Sequence, residues 1–243
     1  AKGRFRGEQM LYHSERIYGI DISKYQHVYK RWVYGIDWRN LRITRLGHTA
    51  DRNALGAVDY PVSFVYIKST EGLTVFNPYY TRDVRAARRY GFPVGAYHFF
   101  STRPAMRQAD YFLKKSRLQK GDLPPMLDVE LSDRRIAAMG GRDVLFREML
   151  VWLKEVGRRS GTMPIIYVSQ DFVNRYMPFA PEELKAYPVW VARYGEYKPY
   201  VHLLYWQLSP DGRVRGIQGD VDIDVFNGSE EQFKRYLRTQ TVK

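Results

Sequence analysis

Short runs of consecutive apolar residues are the feature of this sequence that most constrains its fold. Pro164-Ile-Ile-Tyr-Val is one example. A strand with one wet face alternates polar and apolar residues, whereas a strand covered on both faces does not. The sequence therefore predicts a sheet buried on both sides, with strands at Ile17–Ile22, Val62–Lys68, Val94–Phe99, Met126–Glu130, Ile165–Ser169, Val189–Arg193, Leu203–Leu208 and Val221–Phe226.

Helical patterns separate the middle strands. Alternating strands and helices from residue 62 to about 160 predict parallel pairing, and the last strands follow one another with little helix between them. The fold class is therefore α/β, an irregular single-domain β/α (TIM-like) barrel with about eight strands and fewer helices. Helices are predicted from Pro78 to Gly91, over Arg103–Leu118, over a stretch ending at Gly161, and from Ser229 to Leu237.

Composition limits the partners and the chemistry. Lys+Arg 39 minus Asp+Glu 26 gives a net charge of +13, which favours polyanionic partners such as an acidic cell-wall polymer. The chain has no cysteine, which excludes disulfides and thiol chemistry. No apolar run approaches the ~20 residues of a transmembrane segment. Residues 1–16 are predicted to be a basic N-terminal extension without a visible signal segment, and residues 17–243 one domain.

The segment Gln26–Pro61 has no clear element beyond a short turn near Ile36-Asp37-Trp38. Its basic residues alternate with aromatic ones, as in Tyr29-Lys-Arg-Trp32. Such a segment is typical of a surface insertion with a solvated charged face. It could also stack on single-stranded nucleic acid or on sugar rings.

Two carboxylates end the strand predicted at Met126–Glu130. Asp128 and Glu130 are two residues apart, so they lie on the same face of a strand. Active sites of parallel barrels lie where strands end, and neighbouring carboxylates repel, so that one holds its proton and can act as a general acid. The alternative is that both form ion pairs with the nearby Arg134 and Arg135.

Further acidic and aromatic residues stand at other strand ends. Asp21 ends the first strand, Asp222 lies in the last, and Tyr97 lies in Gly95-Ala-Tyr-His-Phe99. If the sheet closes, these side chains meet at one mouth. Carboxylates gathered in this way fit a glycosidase pocket.

Other chemistries lack support. Residues Asp220–Glu231 place acidic residues at positions of a calcium loop, but Val225 stands where that loop needs glycine, and the alternation there predicts a strand. The five histidines have no zinc-hydrolase spacing, and neither a serine-nucleophile motif nor a phosphate loop occurs. We expect no metal and no cofactor.

A set of ordered motifs resembles glycoside hydrolase family 25, the lysozymes that act as N-acetylmuramidases. The resemblance spans about residues 17–227 and is carried by Gly19-Ile-Asp-Ile-Ser-Lys-Tyr-Gln26, Ile36-Asp-Trp38, Phe64-Val-Tyr-Ile-Lys-Ser-Thr-Glu-Gly72, Asn77-Pro-Tyr-Tyr80, Gly95-Ala-Tyr-His-Phe99, Leu127-Asp-Val-Glu130, Ile166-Tyr-Val-Ser169, Val189-Trp-Val-Ala192, Tyr205-Trp-Gln207 and Val221-Asp-Ile-Asp-Val-Phe226.

The resemblance implies roles for individual residues. Glu130 would be the catalytic acid/base and Asp128 would hold the acetamido group of the substrate, with Asp21 and Asp222 completing an acidic floor. The implied substrate is the β-1,4 bond between N-acetylmuramic acid and N-acetylglucosamine in peptidoglycan, which implies an exported enzyme, and a monomer is expected. The substrate-binding candidates are Tyr97, Tyr167, Trp206, Gln207, Lys68 and Glu71.

The sequence departs from the family pattern in two places. His27–Gly35 and roughly Arg42–Ser63 look like insertions, so that wall of the groove is expected to differ. Asp224 stands where asparagine is commoner, which adds a carboxyl group near Asp222.

The placement of Asp128 and Glu130 bears on the mechanism. Side chains on one face of one strand do not bracket a bond from opposite sides. We therefore expect the N-acetyl group of the substrate to attack the anomeric carbon, with inversion through a water held by Asp21 or Asp222 as the competitor. A non-catalytic cell-wall lectin on the same fold is the rival function, and no recognised nucleic-acid motif supports a specific nucleic-acid partner.

Overall fold

The computed structural model describes residues 16–48, 56–192 and 201–243. The extension predicted for residues 1–16 lies outside this range except for Arg16. The strands are β1 (Ile17–Ile22), β2 (Val28–Tyr29), β3 (Trp32–Val33), β4 (Arg42–Arg45), β5 (Ala57–Tyr60), β6 (Val65–Glu71), β7 (Val75–Phe76), β8 (Val94–Phe99), β9 (Met126–Asp128), β10 (Ile165–Ser169), β11 (Pro188–Ala192), β12 (His202–Arg215) and β13 (Val221–Phe226).

Seven α-helices lie in the described ranges, and none is long and apolar enough to cross a membrane. Six of them lie in the connections between consecutive parallel strands of the barrel, and the seventh follows the last strand. The helices are α1 (Tyr80–Arg89), α2 (Ala105–Ser116), α3 (Asp133–Met139), α4 (Arg142–Ser160), α5 (Gln170–Arg175), α6 (Glu182–Lys185) and α7 (Glu230–Thr239).

Eight strands close into a barrel in the order β1-β6-β8-β9-β10-β11-β12-β13, with β13 returning to β1. Every pair from β1 to β12 around this ring is parallel, and β13 is antiparallel to both of its neighbours. The predicted α/β barrel is confirmed. The parallel strands all end at the same rim, which we call the mouth, and the antiparallel β13 begins there.

The two faces of the sheet pack into separate cores. The outer face contacts the helices through a largely aliphatic cluster that includes Ile20, Ile67 and Leu153. The interior is mainly aromatic, and Trp190 stacks on Tyr205 with ring centroids 4.6 Å apart. Helix α7 supplies Phe233 and Tyr236 to this interior. An aromatic plug thus fills the barrel below the mouth, which explains why the strands are apolar on both faces.

The predicted strands match closely, with differences at their ends. Four of them have the predicted bounds, whereas β6 runs on to Glu71 and β9 ends at Asp128. The largest difference is β12, which continues to Arg215 instead of ending at Leu208.

The segment Gln26–Pro61 contains more structure than predicted. Strands β2 and β3 form a hairpin, and β4 with β5 form a second antiparallel pair. Strand β4 pairs with the far end of β12, which explains why β12 is long. The segment is therefore partly an extension of the sheet. A surface insertion describes the β2–β3 hairpin well, since it pairs with no other strand in the part of the chain that the structure describes.

Candidate active site

The mouth is built first from β1 and β13, which pair so that Asp21 stands directly opposite Asp222. Opposite residues of an antiparallel pair have Cβ atoms about 5 Å apart on one face. Two residues along β13, Asp224 lies opposite Gly19 on the same face. Asp224 is therefore one layer deeper in the barrel. Gly19 is required there, because a Cβ atom would lie 2.4 Å from the Phe64 ring.

Strand β9 brings Asp128 and Glu130 to the mouth. The Asp128 carbonyl accepts a hydrogen bond from Phe100 N at 2.9 Å, and Val129 N donates to Tyr167 O at 2.9 Å. Val129 packs into the outer core. The residues on either side of it therefore face the interior, as predicted. Asp128 is buried and Glu130 is exposed, so Glu130 is the carboxyl group that an incoming ligand meets first.

Two tyrosines and a glutamine connect these acidic groups around the rim. Tyr167 stands beside Asp128 in the β9–β10 register, and its hydroxyl donates to Gln207 Oε1 at 3.1 Å. Gln207 stands opposite Asp224 in the β12–β13 register. Tyr97 is buried on β8, and burial together with the charge of Asp21 raises its pKa well above the usual range. Its hydroxyl therefore stays protonated and can donate a hydrogen bond.

Lys68 and Glu71 lie at the end of β6. Lys68 Nζ is 2.6 Å from Glu71 Oε1 and 4.9 Å from the centroid of the Phe99 ring. Lys68 is the neighbour of Tyr97 in the β6–β8 register and, through its positive charge, opposes the rise in the pKa of Asp128. The structure therefore brings both residues to the same mouth as the carboxyl groups.

Trp206 differs from the other predicted site residues. It lies on the opposite face of β12 from Tyr205 and Gln207, packed against the outer core, with the Arg16 guanidinium 5.7 Å from its ring centroid. Adjacent residues of a strand point to opposite faces, so Trp206 and Gln207 cannot both face the interior. The structure does not place Trp206 at the mouth.

Burial dominates the electrostatics of the acidic floor. It raises the pKa of Asp21 well above its usual range, and the neighbouring Asp224 carboxyl raises it further. Burial likewise raises the pKa of Asp224, and burial together with Asp21 raises that of Asp222 to about 10. Hydrogen bonds from the Asp21 carboxyl group and from Trp190 oppose the rise in the pKa of Asp224 but do not outweigh burial. Burial and the neighbouring acids therefore favour the protonated form of each of these carboxyl groups.

Asp128 and Glu130 form a second carboxyl pair. Burial raises the pKa of Asp128 well above the usual range, and contact with Glu130 raises it further. The alternative partners Arg134 and Arg135 form no ion pair with either carboxyl group in the described part of the chain. The raised pKa of Asp128 favours its protonated form, which can donate a hydrogen bond to Glu130.

An open cleft of about 350 Å³ adjoins this pair. Glu130 and Tyr167 line it together with residues that the sequence reasoning missed, among them Ser169 and Tyr176. The sequence offered a signal for Ser169, because this residue ends the family motif Ile166-Tyr-Val-Ser169. Tyr176 follows helix α5, and only the three-dimensional fold brings it to the cleft. Trp190, which packs in the aromatic interior beneath the mouth, was also missed. It lies on the same face of β11 as Ala192, which lines the cleft.

The stretch tested as a calcium loop forms strand β13 over Val221–Phe226, which confirms the strand prediction. Asp222 and Asp224 point into the barrel there. In the described ranges, no group of three or more His, Asp or Glu side chains is arranged to hold a metal ion.

Comparison with known proteins now identifies the family. The sequence pattern of Glycosyl hydrolases family 25 matches residues 20–217. The chain belongs to this family. It is therefore a glycoside hydrolase of the lysozyme type, and the predicted resemblance is confirmed.

Individual relatives agree with this assignment. The chain is 34% identical over 228 residues to the uncharacterized protein YegX of Escherichia coli O157:H7, covering 92% of this chain and 74% of that one. It is 28% identical over 229 residues to Lysozyme M1 of Streptomyces globisporus, covering 88% and 68%. A family 25 glycosyl hydrolase from Bacillus anthracis has the same fold, with TM-score 0.70, 24% identity, and coverage of 91% and 94%.

Proposed function

We propose that this glycoside hydrolase cleaves the β-1,4 bond between N-acetylmuramic acid and N-acetylglucosamine in peptidoglycan. The observation that carries the proposal is the contact between a buried Asp128 and an exposed Glu130 at the mouth of a family 25 barrel. The names of relatives support the substrate, since one is a lysozyme and another an N,O-diacetylmuramidase.

Glu130 takes the role of general acid. Its carboxyl group is exposed beside the cleft, where it can reach the oxygen of a glycosidic bond. Protonation of that oxygen lets the leaving sugar depart as an alcohol, and a positioned acid typically contributes 10²–10⁴-fold to the rate.

Asp128 holds the acetamido group of the sugar on the other side of the bond. In the free protein, the raised pKa of Asp128 favours the proton on this residue. The acid step requires the proton on Glu130 and the negative charge on Asp128, so binding of the substrate accompanies transfer of the proton from Asp128 to Glu130. When the acetamido oxygen attacks the anomeric carbon, the amide N–H becomes acidic, and Asp128 accepts its hydrogen bond. A carboxylate with a raised pKa is a stronger base for this purpose. Glu130, deprotonated by the first step, then activates a water molecule. This water opens the cyclic intermediate with retention of the β configuration.

The remaining candidates surround the reacting sugar. Tyr97 and Tyr167 offer hydroxyl groups, and Gln207 fixes the orientation of Tyr167. Asp21 and Asp222 form a protonated floor, which removes the charge that would otherwise repel the Asp128 carboxylate. Lys68 and Glu71 are proposed as rim contacts to the polymer. A single chain supplies this whole site, so a monomer suffices.

The setting is the bacterial cell wall. We propose that the enzyme is exported and acts on the wall from outside the cytoplasm. The net charge of +13 favours adsorption to an anionic polymer, with affinity that falls as salt rises.

An NMR time course on a soluble peptidoglycan fragment tests the proposal. The β-anomer is expected as the first product with the wild-type chain, and no product with Glu130→Gln. An α-anomer appearing first would show inversion through a water and would exclude participation of the N-acetyl group. Absence of cleavage by the wild-type chain, with binding to the wall intact, would favour a lectin.

A further inference from the structure

The hairpin Val28–Val33, which we call the aromatic hairpin, presents two rings to solvent. Tyr29 and Trp32 stand opposite one another in the β2–β3 ladder and therefore share one face. Trp32 is 64% exposed and Tyr29 is 52% exposed. Large exposed aromatic side chains are uncommon away from binding surfaces, because burying them is favourable.

The base of the hairpin is firmly fixed. His27 is fully buried, its Nε2 is 2.6 Å from Asp83 Oδ2, and its Nδ1 is 2.8 Å from Tyr34 O. A backbone carbonyl and a carboxylate both accept hydrogen bonds, so the two contacts favour the protonated imidazolium form of His27. Its ring also stacks on Tyr79 at 4.2 Å. At the tip, Lys30 has a φ of 54°, a backbone conformation that non-glycine residues seldom adopt. Buried polar contacts and ring stacking at His27 therefore anchor the segment from which the two rings extend.

The hairpin rises from the mouth. It follows β1 directly after Asp21 and the short 3-10 helix Lys24–Gln26. Gln26 Nε2 donates to the carbonyl of Asp220 at 3.1 Å, two residues before Asp222. Tyr25, which is 71% exposed, lies in this short helix, between Asp21 and the hairpin in the chain. Three exposed rings thus follow the end of β1 within eleven residues of Asp21.

Positive charge accompanies these rings. Lys24 Nζ lies 5.5 Å from the Tyr25 ring centroid, and Lys30 Nζ lies 5.4 Å from that of Tyr29. Arg31 occupies the tip beside Lys30. None of the three forms an ion pair with an acidic residue in the described ranges. The hairpin therefore combines flat apolar faces with unpaired cations, next to a mouth lined by carboxyl groups.

We infer that the aromatic hairpin is a second binding site for the glycan strand, beyond the sugars at the cleaved bond. The C–H faces of N-acetylated pyranose rings stack on Tyr29 and Trp32, and Lys30 and Arg31 pair with carboxylates of the wall polymer. This inference rests on the proposed function for the identity of the ligand. The continuity of the rings with the mouth and the complementary charge favour this occupant over others.

Binding to purified insoluble peptidoglycan measures the contribution of the hairpin. All chains carry Glu130→Gln so that the polymer stays intact, and the bound fraction is measured by pelleting. Removing both rings with Tyr29→Ala and Trp32→Ala is expected to weaken binding about tenfold, the scale of one to two stacking contacts. The conservative variant Trp32→Tyr, with Tyr29 unchanged, should keep most of the binding that the double alanine variant loses. Tyr90→Ala, at an exposed ring of similar type after α1, is the matched control and should change nothing.

A charge variant tests the second half of the inference. Lys30→Gln with Arg31→Gln should weaken binding at low salt and reduce its salt dependence, because fewer ions are displaced. Equal binding by the ring variants and the parent would overturn the inference. Hairpin-dependent binding of a single-stranded oligonucleotide that is tighter than binding of peptidoglycan would overturn it too.

The inference and the proposed function fail separately. If Glu130-intact protein cleaves peptidoglycan but the ring variants bind as the parent does, only the hairpin inference is wrong. If the wild-type chain cleaves nothing while wall binding depends on the rings, the enzymatic proposal is wrong and the hairpin site stands.

Discussion

At the mouth of the barrel, Asp21 and Asp224 lie side by side with no ion-pair partner among the described residues, whereas at the base of the aromatic hairpin Asp83 pairs with the ring of His27. Both places bury carboxyl groups fully or nearly so. In the first, the buried acids repel one another and keep their protons. In the second, burial opposes the charge on His27, but the hydrogen bond and charge of Asp83 outweigh it and raise the pKa of His27.

These two environments of buried carboxyl groups suit different roles. A paired buried charge fixes a segment of the chain, and removing one partner leaves an uncompensated charge. A cluster of like groups stores unfavourable free energy, which is typical of sites that bind or react. The comparison therefore predicts opposite effects of substitution on stability in the two places.

The largest expected effect is on activity at the mouth. Glu130→Gln and Asp128→Asn should each lower the rate of peptidoglycan cleavage by about 10²–10⁴-fold, because each removes a group that moves or holds a proton. Neither should lower the urea midpoint of unfolding. Glu182→Gln, at an exposed glutamate in α6, is the control and should retain full activity. A fall in stability that accounts for the lost activity would argue against a catalytic role.

The next effect in size is on stability at the hairpin base. His27→Ala should lower the free energy of unfolding by about 3 kcal/mol, since it leaves the buried Asp83 carboxylate unpaired. The raised pKa of His27 makes this contribution fullest below pH 6.5 and diminishing as pH rises through the folded-state value. Urea unfolding of the wild-type chain and of His27→Ala at pH 5 and pH 8 measures the size of this loss and its dependence on pH.

The chain provides a matched control for His27. His48 pairs with Asp211 at 2.5 Å, but its side chain is 57% exposed. Solvent-exposed pairs contribute little, so His48→Ala should leave the urea midpoint almost unchanged. Equal losses at the two histidines would contradict the distinction between a buried and an exposed pair.

The smallest expected effect is a gain in the free energy of unfolding at the mouth, rather than a loss. Asp224→Asn should raise the free energy of unfolding by about 1–2 kcal/mol at pH 8, because it removes a buried acid whose pKa is raised in the folded chain. An acid with a raised folded-state pKa holds its proton in the folded chain after the unfolded chain has released it, so stability falls as pH rises above about 4. The gain should therefore shrink towards pH 4. Asp220→Asn, at an exposed carboxylate, should show no such trend.

Much of the barrel follows from local patterns in the sequence. Ile165–Ser169 is apolar on both faces because helices cover one side and the aromatic interior fills the other. Asp128 and Glu130 share a face because strands alternate, and that much was predictable. The same rule places Trp206 and Gln207 on opposite faces of β12. Applying it to Tyr205-Trp-Gln207 would have excluded one of the two from the mouth.

Other features depend on contacts distant in sequence. Ser209-Pro-Asp-Gly212 has the composition of a turn, yet β12 runs through it with irregular register, because β4 and β13 pair on either side. Gly212 fits closely there, since a Cβ atom would lie 2.2 Å from Ile223. The pairing of His27 with Asp83 spans 56 residues and follows from no local pattern.

Mass spectrometry of borohydride-reduced products from purified insoluble peptidoglycan tests the central claim most directly. Wild-type chain and Glu130→Gln are compared under the same conditions. We predict muropeptides that end in reduced N-acetylmuramic acid with the wild-type chain and none with Glu130→Gln. Products ending in reduced N-acetylglucosamine, or the same products from both chains, would contradict the assigned bond or the assigned acid.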